Sequence, residues 1–523
     1  VVYSGSLFFV TKTSESSTVK RSLIKLISLG FLCVTLLTVR SPAESPAAPS
    51  YESIMGIARE LASKPFSDDR RRLPKRLQNL SYDQSRDIRF NPKDAVWRRE
   101  RLPFQLQFFH PGGLNRDQID YYLLDGDDVK EFPFSRDFFD YGANRFSWLD
   151  LRHIKFSGLR IHYPLNRPDY LDELAVFLGA TYFRALPEHL VYGLSARAIA
   201  INCGGAEEFP AFRDIWICRP GMGGNQIQIM GLFDSPSLAG VATFIIKPGH
   251  ETVMDTRVAV IARTEINHLG IAPLTSMFWF GKNGARRFDD YRPEVHDSDG
   301  LLMQNGKNEW LWRPLENSGR LRLSRFEDMN PKGFGLMQRE RSFVAYQDLE
   351  ALYHKRPSAW VTPQGEWGKG SVRLVEIPTD SEFHDNMVAF WEPDRVLNTN
   401  DVAEFSYQIR WLADNPALPA LGRVVSTRTS ALPGSPRARK FVLDFSWPSL
   451  VQGDGQNAGI EPHVTATRGR LGAISSQFSP DLQTWRVVFD VTADDSELSV
   501  ELRALISKDH SPCTETWTYL WMP

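Results

Sequence analysis

IQIMGLF (227–233), ATFIIKP (242–248) and TRVAVIAR (256–263) decide the fold. Each run is short, rich in β-branched and aliphatic residues, and cut off from the next by Asp, Ser, Pro, Gly or Glu, which is how consecutive strands read. The same texture extends outward. Upstream lie FQLQFF (104–109) and LRIHY (159–163), again bounded by turn-forming residues. Helical spacing is rare. YESIMGIARELASKP (51–65) places apolar residues on one helical face and stops at Pro65, and YLDELAVFLG predicts a second short helix around Leu171–Leu178. Many strands with few helices make an all-β chain of the sandwich or barrel kind.

At 523 residues the chain is too long for one core. Its texture changes at EPDRVLNTND (392–401), which is polar and patternless, so 394–401 is the expected linker. A large β-sandwich is expected over 49–393. Beyond the linker AEFSYQIRWL, RVVSTRT, KFVLDFSW, EPHVTATRG, ISSQFS, TWRVVFDVT and ELSVELRAL follow at the rhythm of a smaller immunoglobulin-like sandwich over 402–523. SALPGSPRARK (430–440), basic and rich in Pro and Gly, reads as a long loop able to reach a neighbouring subunit, so a homodimer is one expectation.

The N-terminal residues read as a targeting signal. Lys20, Arg21 and Lys25 precede the apolar run LISLGFLCVTLLTV (26–39), which is too short to span a bilayer comfortably, and small residues with cleavage positions after Ala43 or Ala48 follow. Residues 1–48 are therefore expected to be a cleaved signal peptide and leader, and the mature chain to be exported. A net charge of −2 supplies no basic field for nucleic acid. Cys33 lies in the apolar run. Cys203 and Cys218 lie in neighbouring strand-like runs and read either as a disulfide or as buried free thiols. No metal-type Cys/His spacing is present, and neither a metal nor a cofactor is expected.

Chemistry concentrates between Thr275 and Trp391. DDYRPEVHDSDGL (289–301) crowds Asp289, Asp290, Glu294, Asp297 and Asp299 around Arg292 and His296, and crowding of like charges raises some carboxylate pKa values. EIPTDSEFHDN (376–386) is a second acidic loop, with Glu376, Asp380, Glu382 and Asp385. Either loop alone also reads as a solvated turn. Together, among Trp279, Trp310, Trp312, Trp360, Trp367 and Trp391, they suit hydrolysis of a glycosidic bond, which needs one protonated and one ionised carboxyl and flat faces for sugar rings. Each Trp equally has a core reading. No Gly-x-Ser-x-Gly elbow, Walker A loop or HExxH helix is present.

GATYFRAL (179–186), YGLSARAIAI (192–201), EEFPAFRDIWI (207–217), YRPEVHDSDGL (291–301), NPKGFGLMQR (330–339), YQDLEALYHKRPSAWVTPQGEWGKG (346–370) and EIPTDSEFHDNMVAFW (376–391) resemble the periplasmic glucan biosynthesis protein G/D family, the G branch more than the D branch. The resemblance runs from YDQSRDIRF (82–90) into the C-terminal unit, where it weakens. It implies a galactose-mutarotase-like sandwich followed by an immunoglobulin-like one, in the periplasm. It implies a part in making osmoregulated periplasmic glucans, whose backbone is β-1,2-linked glucose, in company with a membrane glucan synthase. It also implies similarity to inverting β-1,2-glucan hydrolases, with non-catalytic binding of glucan as the alternative. On that pattern Asp385 is the acid and Asp297 the base, with Asp299 as the alternative base. Tyr353 orders the proton path. Tyr182, Arg184, Asp299, Trp279, Trp360, Trp367, Glu376 and Trp391, from the matching motifs and from the aromatic and acidic stretches, are the expected substrate contacts. Leu186–Pro187 and RERSFVAYQD (339–348) depart from the family's usual pattern without touching the acid or base.

Overall fold

A computed structural model describes residues 48–68, 72–147, 151–283, 288–413, 421–446 and 459–523. The expected signal peptide thus lies outside the described residues, apart from Ala48. No helix among the described residues is long and apolar enough to cross a membrane.

The three opening runs form Ile227–Asp234, Leu238–Lys247 and Thr252–Ala262, joined antiparallel in continuous register from Ile227↔Ile246 to Lys247↔Val253. Side chains alternate across a strand, so each strand serves two faces. In Thr252–Ala262, Met254, Val258 and Val260 enter the main core, while Ala259 and Ile261 point the other way. The helix Tyr51–Ala62 covers that second face with Ile54, Met55, Ala58 and Ala62. Ser50 caps it by accepting from the Ser53 amide, and Arg263 holds its far end by donating to the Leu61 and Lys64 carbonyls.

These strands belong to a 15-stranded sheet that faces a 10-stranded one. Leu159, Phe177, Leu374 and Trp391 of the smaller sheet meet Ile229, Phe244, Val258 and Ile409 of the larger in one core. The chain is all-β, as expected.

Four local expectations change. Tyr170–Leu178 is a strand, not a helix, because Gly158–Arg167 pairs along one side of it and Tyr182–Ala185 along the other. SALPGSPRARK is a tight hairpin: Leu432 pairs with Ser435, and Gly434 takes the left-handed φ of 75° that the turn requires. Val402–Leu412, placed by sequence in the C-terminal unit, lies inside the large sheet between Thr252–Ala262 and Ser358–Gln364. Its Ala403, Tyr407, Ile409 and Trp411 all face the main core, so the change of unit falls after Leu412 rather than at 394–401. A last strand, Thr516–Trp521, had no counterpart in the sequence reading. Cys203, Cys218 and Cys513 are free thiols.

The C-terminal unit is itself two-layered. Phe441, Leu443, Phe445, Trp485 and Phe489 of a five-stranded sheet face Val500, Leu502, Ile506, Trp517 and Tyr519. It is not a free bead. Thr516–Trp521 pairs parallel to Trp310–Pro314, so the large sheet runs on into it. Leu302, Trp310, Trp312, Met337 and Trp360 turn from the large sheet into its core. Arg339 adds a bidentate pair to Glu515, at 2.6 and 2.8 Å, and its guanidinium lies 3.5 Å over the Trp312 ring.

Trp360 stacks on Trp310, with ring centroids 5.6 Å apart, and is buried at this junction. Trp360→Ala is expected to cost about 3–5 kcal/mol in urea unfolding. An unchanged midpoint would show that the junction does not hold the units together.

Candidate functional site

Residues Ser276–Phe278 organise the site. The Asp297 amide donates to the Met277 carbonyl at 2.8 Å, because Val295–His296 pairs with Phe278–Phe280. The Asn386 amide donates to the Ser276 carbonyl at 3.0 Å, continuing the pairing of Leu269–Ser276 with Met387–Pro393. The Asn386 side chain then accepts from the Phe278 amide at 2.8 Å and donates to the Phe278 and Ile377 carbonyls, both at 3.0 Å. One short segment therefore anchors both acidic loops.

The Asp297 carboxyl is fully buried. Its Oδ1 accepts from Arg356 Nη1 at 2.8 Å, and its Oδ2 has no hydrogen-bond partner. Burial pushes its pKa up, against the lowering charges of Arg356, His296 and Arg184. Asp385 is half-buried and lies within electrostatic reach of Tyr182 and Arg184. Arg184, on Tyr182–Ala185, stacks 4.1 Å over the Tyr192 ring. This half-buried cation thus acts on both carboxyls.

Tyr353 completes the group. Its hydroxyl donates to Glu382 Oε2 at 2.5 Å, and the Arg356 guanidinium lies 4.5 Å over its ring. Arg292 grips Glu382 through both carboxylate oxygens, at 2.8 and 3.2 Å, and also binds Asp290 and Asp348. The Gln338 amide donates to the carbonyls of His296, at 3.0 Å, and Tyr353, at 3.2 Å, tying the tyrosine turn to the Asp297 strand. The two acidic loops are thus a connected charge network rather than solvated turns.

Asp297, Tyr353, Asp385, Tyr182 and Arg184 come together. The other expected contacts do not. Asp299 Oδ2 accepts from the amides of Arg339 and Glu340, at 2.5 and 2.9 Å, which commits it to that turn. Trp367 and Trp391 are buried in the main core and Trp360 in the junction, so no sugar ring can stack on them. Glu376 is buried too, accepting from the Glu316 amide and lying 3.5 Å from Arg322. Trp279 lines a different cavity, without Asp297, Tyr353 or Asp385 in its wall. Arg356, Glu382, Arg292 and Tyr192 join the site without any spacing signal that marks them. Donor atoms of Glu294, His296 and Asp299 cluster within 4.8 Å, but Lys282 Nζ sits 3.5 Å from Glu294 and fills the role of the cation.

The family model described as "Periplasmic glucan biosynthesis protein, MdoG" matches residues 50–521. The chain belongs to this family. It is similar to "Glucans biosynthesis protein G" of Bradyrhizobium diazoefficiens, 44% identical over 91% of this chain and 93% of the relative. The protein of the same name from Vibrio cholerae serotype O1 is 44% identical over 90% of this chain and 86% of its own length. That from Rhodopseudomonas palustris strain BisA53 is 42% identical over 91% and 94%.

Because Arg356 is the first charge opposing the burial of Asp297, Arg356→Met is expected to move the Asp297 titration to still higher pH. Carboxyl 13C NMR checks this. Asp297 already titrates above its unfolded value of about 3.9, so its contribution to stability is fully present below that value and is lost as pH rises through the folded pKa. A shift to lower pH in the variant would contradict the assigned contact.

Proposed function

We propose that this chain acts in the periplasm in glucan biosynthesis, as an inverting hydrolase of the β-1,2-glucan backbone. The observation that carries this reading is the Ser276–Phe278 anchor, which brings the Asp297 and Asp385 loops together around Arg184. Inverting hydrolysis asks for carboxyl groups about 6.5–9.5 Å apart, leaving space for a water.

In this mechanism Asp385 gives its proton to the glycosidic oxygen as the bond to the anomeric carbon breaks. Water attacks that carbon from the opposite face, and its proton passes to Asp297. Asp297 is buried, so the proton reaches it through an intermediate hydroxyl rather than by direct contact. Tyr353, packed against Arg356 and bonded to Glu382, is the group we assign to order that path. The unpartnered Oδ2 of Asp297 is the atom we assign to receive the proton. A second reading, glucan binding without hydrolysis, draws on the Asp297–Arg356 ion pair, which resembles a structural contact as much as a poised base.

Incubation with linear β-1,2-glucan tests both. The wild-type chain is expected to release products of inverted anomeric configuration, seen by 1H NMR at early times. Asp385→Asn and Asp297→Asn are each expected to lower kcat about 10²–10⁴-fold, the usual worth of general acid–base catalysis, with the fold intact. Full activity in Asp385→Asn, or retained configuration, overturns the mechanism. Saturable binding with no product selects the second reading.

A further inference from the structure

Where the two units meet, a cleft of about 420 Å³ opens between residues 278–281, 288 and 316–322 of the large domain and the last strand of the C-terminal unit. Aromatic groups supply its faces. Trp279 and Phe288, both half-buried and with rings 4.7 Å apart, are the faces open to a ligand, while Tyr519 and Trp521, buried in the C-terminal core, back the wall contributed by the last strand. The polar groups are mixed. Arg320 is exposed, and neither it nor Arg439 is paired with a carboxylate among the described residues; Arg439 donates to the Thr429 hydroxyl at 2.7 Å. Glu316 Oε2 takes Arg322 and the Tyr519 hydroxyl, both at 2.6 Å, leaving Oε1 without a hydrogen bond among the described residues. Trp279 Nε1 is a buried donor with no acceptor among the described residues.

We infer that this cleft is a second saccharide-binding site, which holds a stretch of the glucan remote from the bond being cut. The inference rests on the glucan reading above. Flat rings match the C–H faces of a sugar, and free donors beside a free acceptor match hydroxyls, which both give and accept. A purely anionic ligand would leave the aromatic faces unused and would meet Glu316. The volume and the position between units suit a small-ligand site. The cleft is tied to the loop of Asp385 as well. Asn317 donates to the Trp279 carbonyl at 3.0 Å and the Thr379 carbonyl at 2.8 Å, and Thr379 lies on the loop that carries Asp385. On this reading a long glucan engages both places at once, whereas a short oligomer fills each of them separately.

The test is the binding stoichiometry of a short β-1,2-linked glucose oligomer, measured calorimetrically on the full chain carrying Asp385→Asn. Two sites per chain are expected. Adding Arg320→Ala and Arg439→Ala should weaken one of them about tenfold or more, the worth of a hydrogen bond to a charged group, and leave the other unchanged. In the chain with native Asp385, the same pair should raise KM for long glucan but not for the short oligomer. Arg320 is exposed, so Arg320→Ala alone keeps the test valid if the double variant folds poorly. A single site, or two sites insensitive to both substitutions, overturns the inference while leaving hydrolysis to be judged by its own assay. Two sensitive sites without hydrolysis by the wild-type chain uphold it and refute the hydrolase instead. No binding of the oligomer refutes it as well.

Discussion

Everything at the site depends on the hydrogen bonds that Ser276–Phe278 makes to Asp297 and Asn386. Asn386 is buried and satisfies the Phe278 amide, the Phe278 carbonyl and the Ile377 carbonyl with one side chain. Buried backbone groups left without partners cost about 1–3 kcal/mol each, so this amide fixes the loop geometry firmly. The side chain next to it, Asp385, inherits that position. Asp297 inherits its own from the hydrogen bond its N–H donates to the Met277 carbonyl on the same segment. Two carboxyls from loops some 90 positions apart in sequence are thus set by one three-residue segment where one strand gives way to the next.

The strands around that stretch serve two purposes through alternation. Leu301 and Met303 enter the main core while Leu302 enters the C-terminal one, and Trp411 and Leu412 divide in the same way. The C-terminal unit is therefore built on the outer face of the sheet whose inner face closes the sandwich. Arg339 joins the two levels: its backbone amide donates to Asp299, two residues from Asp297, while its guanidinium holds Glu515. Burial at the junction and order at the site are physically continuous.

Much of this was legible in the sequence. The strands at 227–263 and the helix at 51–62 follow from periodicity, because packing agrees with local preference there. Residues 171–178 misled because LDELAVFL fits a helical stripe and a central strand equally well, and only pairing on both sides decides. The boundary at 394–401 misled because a polar connection need not separate domains when the next strand returns to the same sheet. Asp297, Asp385, Tyr353, Tyr182 and Arg184 were found through motif resemblance. Arg292 and Glu382 were visible in the acidic loops, but their pairing with each other and that of Arg356 with Asp297 were not, since an arginine opposite a carboxylate carries no spacing signature. The tryptophans show the reverse error: ring chemistry suits sugars, but Trp360, Trp367 and Trp391 spend it on packing.

The central claim is that Asp385 and Asp297 face the two sides of one glycosidic bond. A crystal structure of the Asp385→Asn chain with a bound β-1,2-linked glucose oligomer measures this directly. The account predicts the side chain at 385 within about 2.6–3.2 Å of a glycosidic oxygen, and on the opposite face of that sugar a water connected through hydroxyl groups to Asp297. An oligomer lying in the groove with neither carboxyl position near a glycosidic linkage would contradict it.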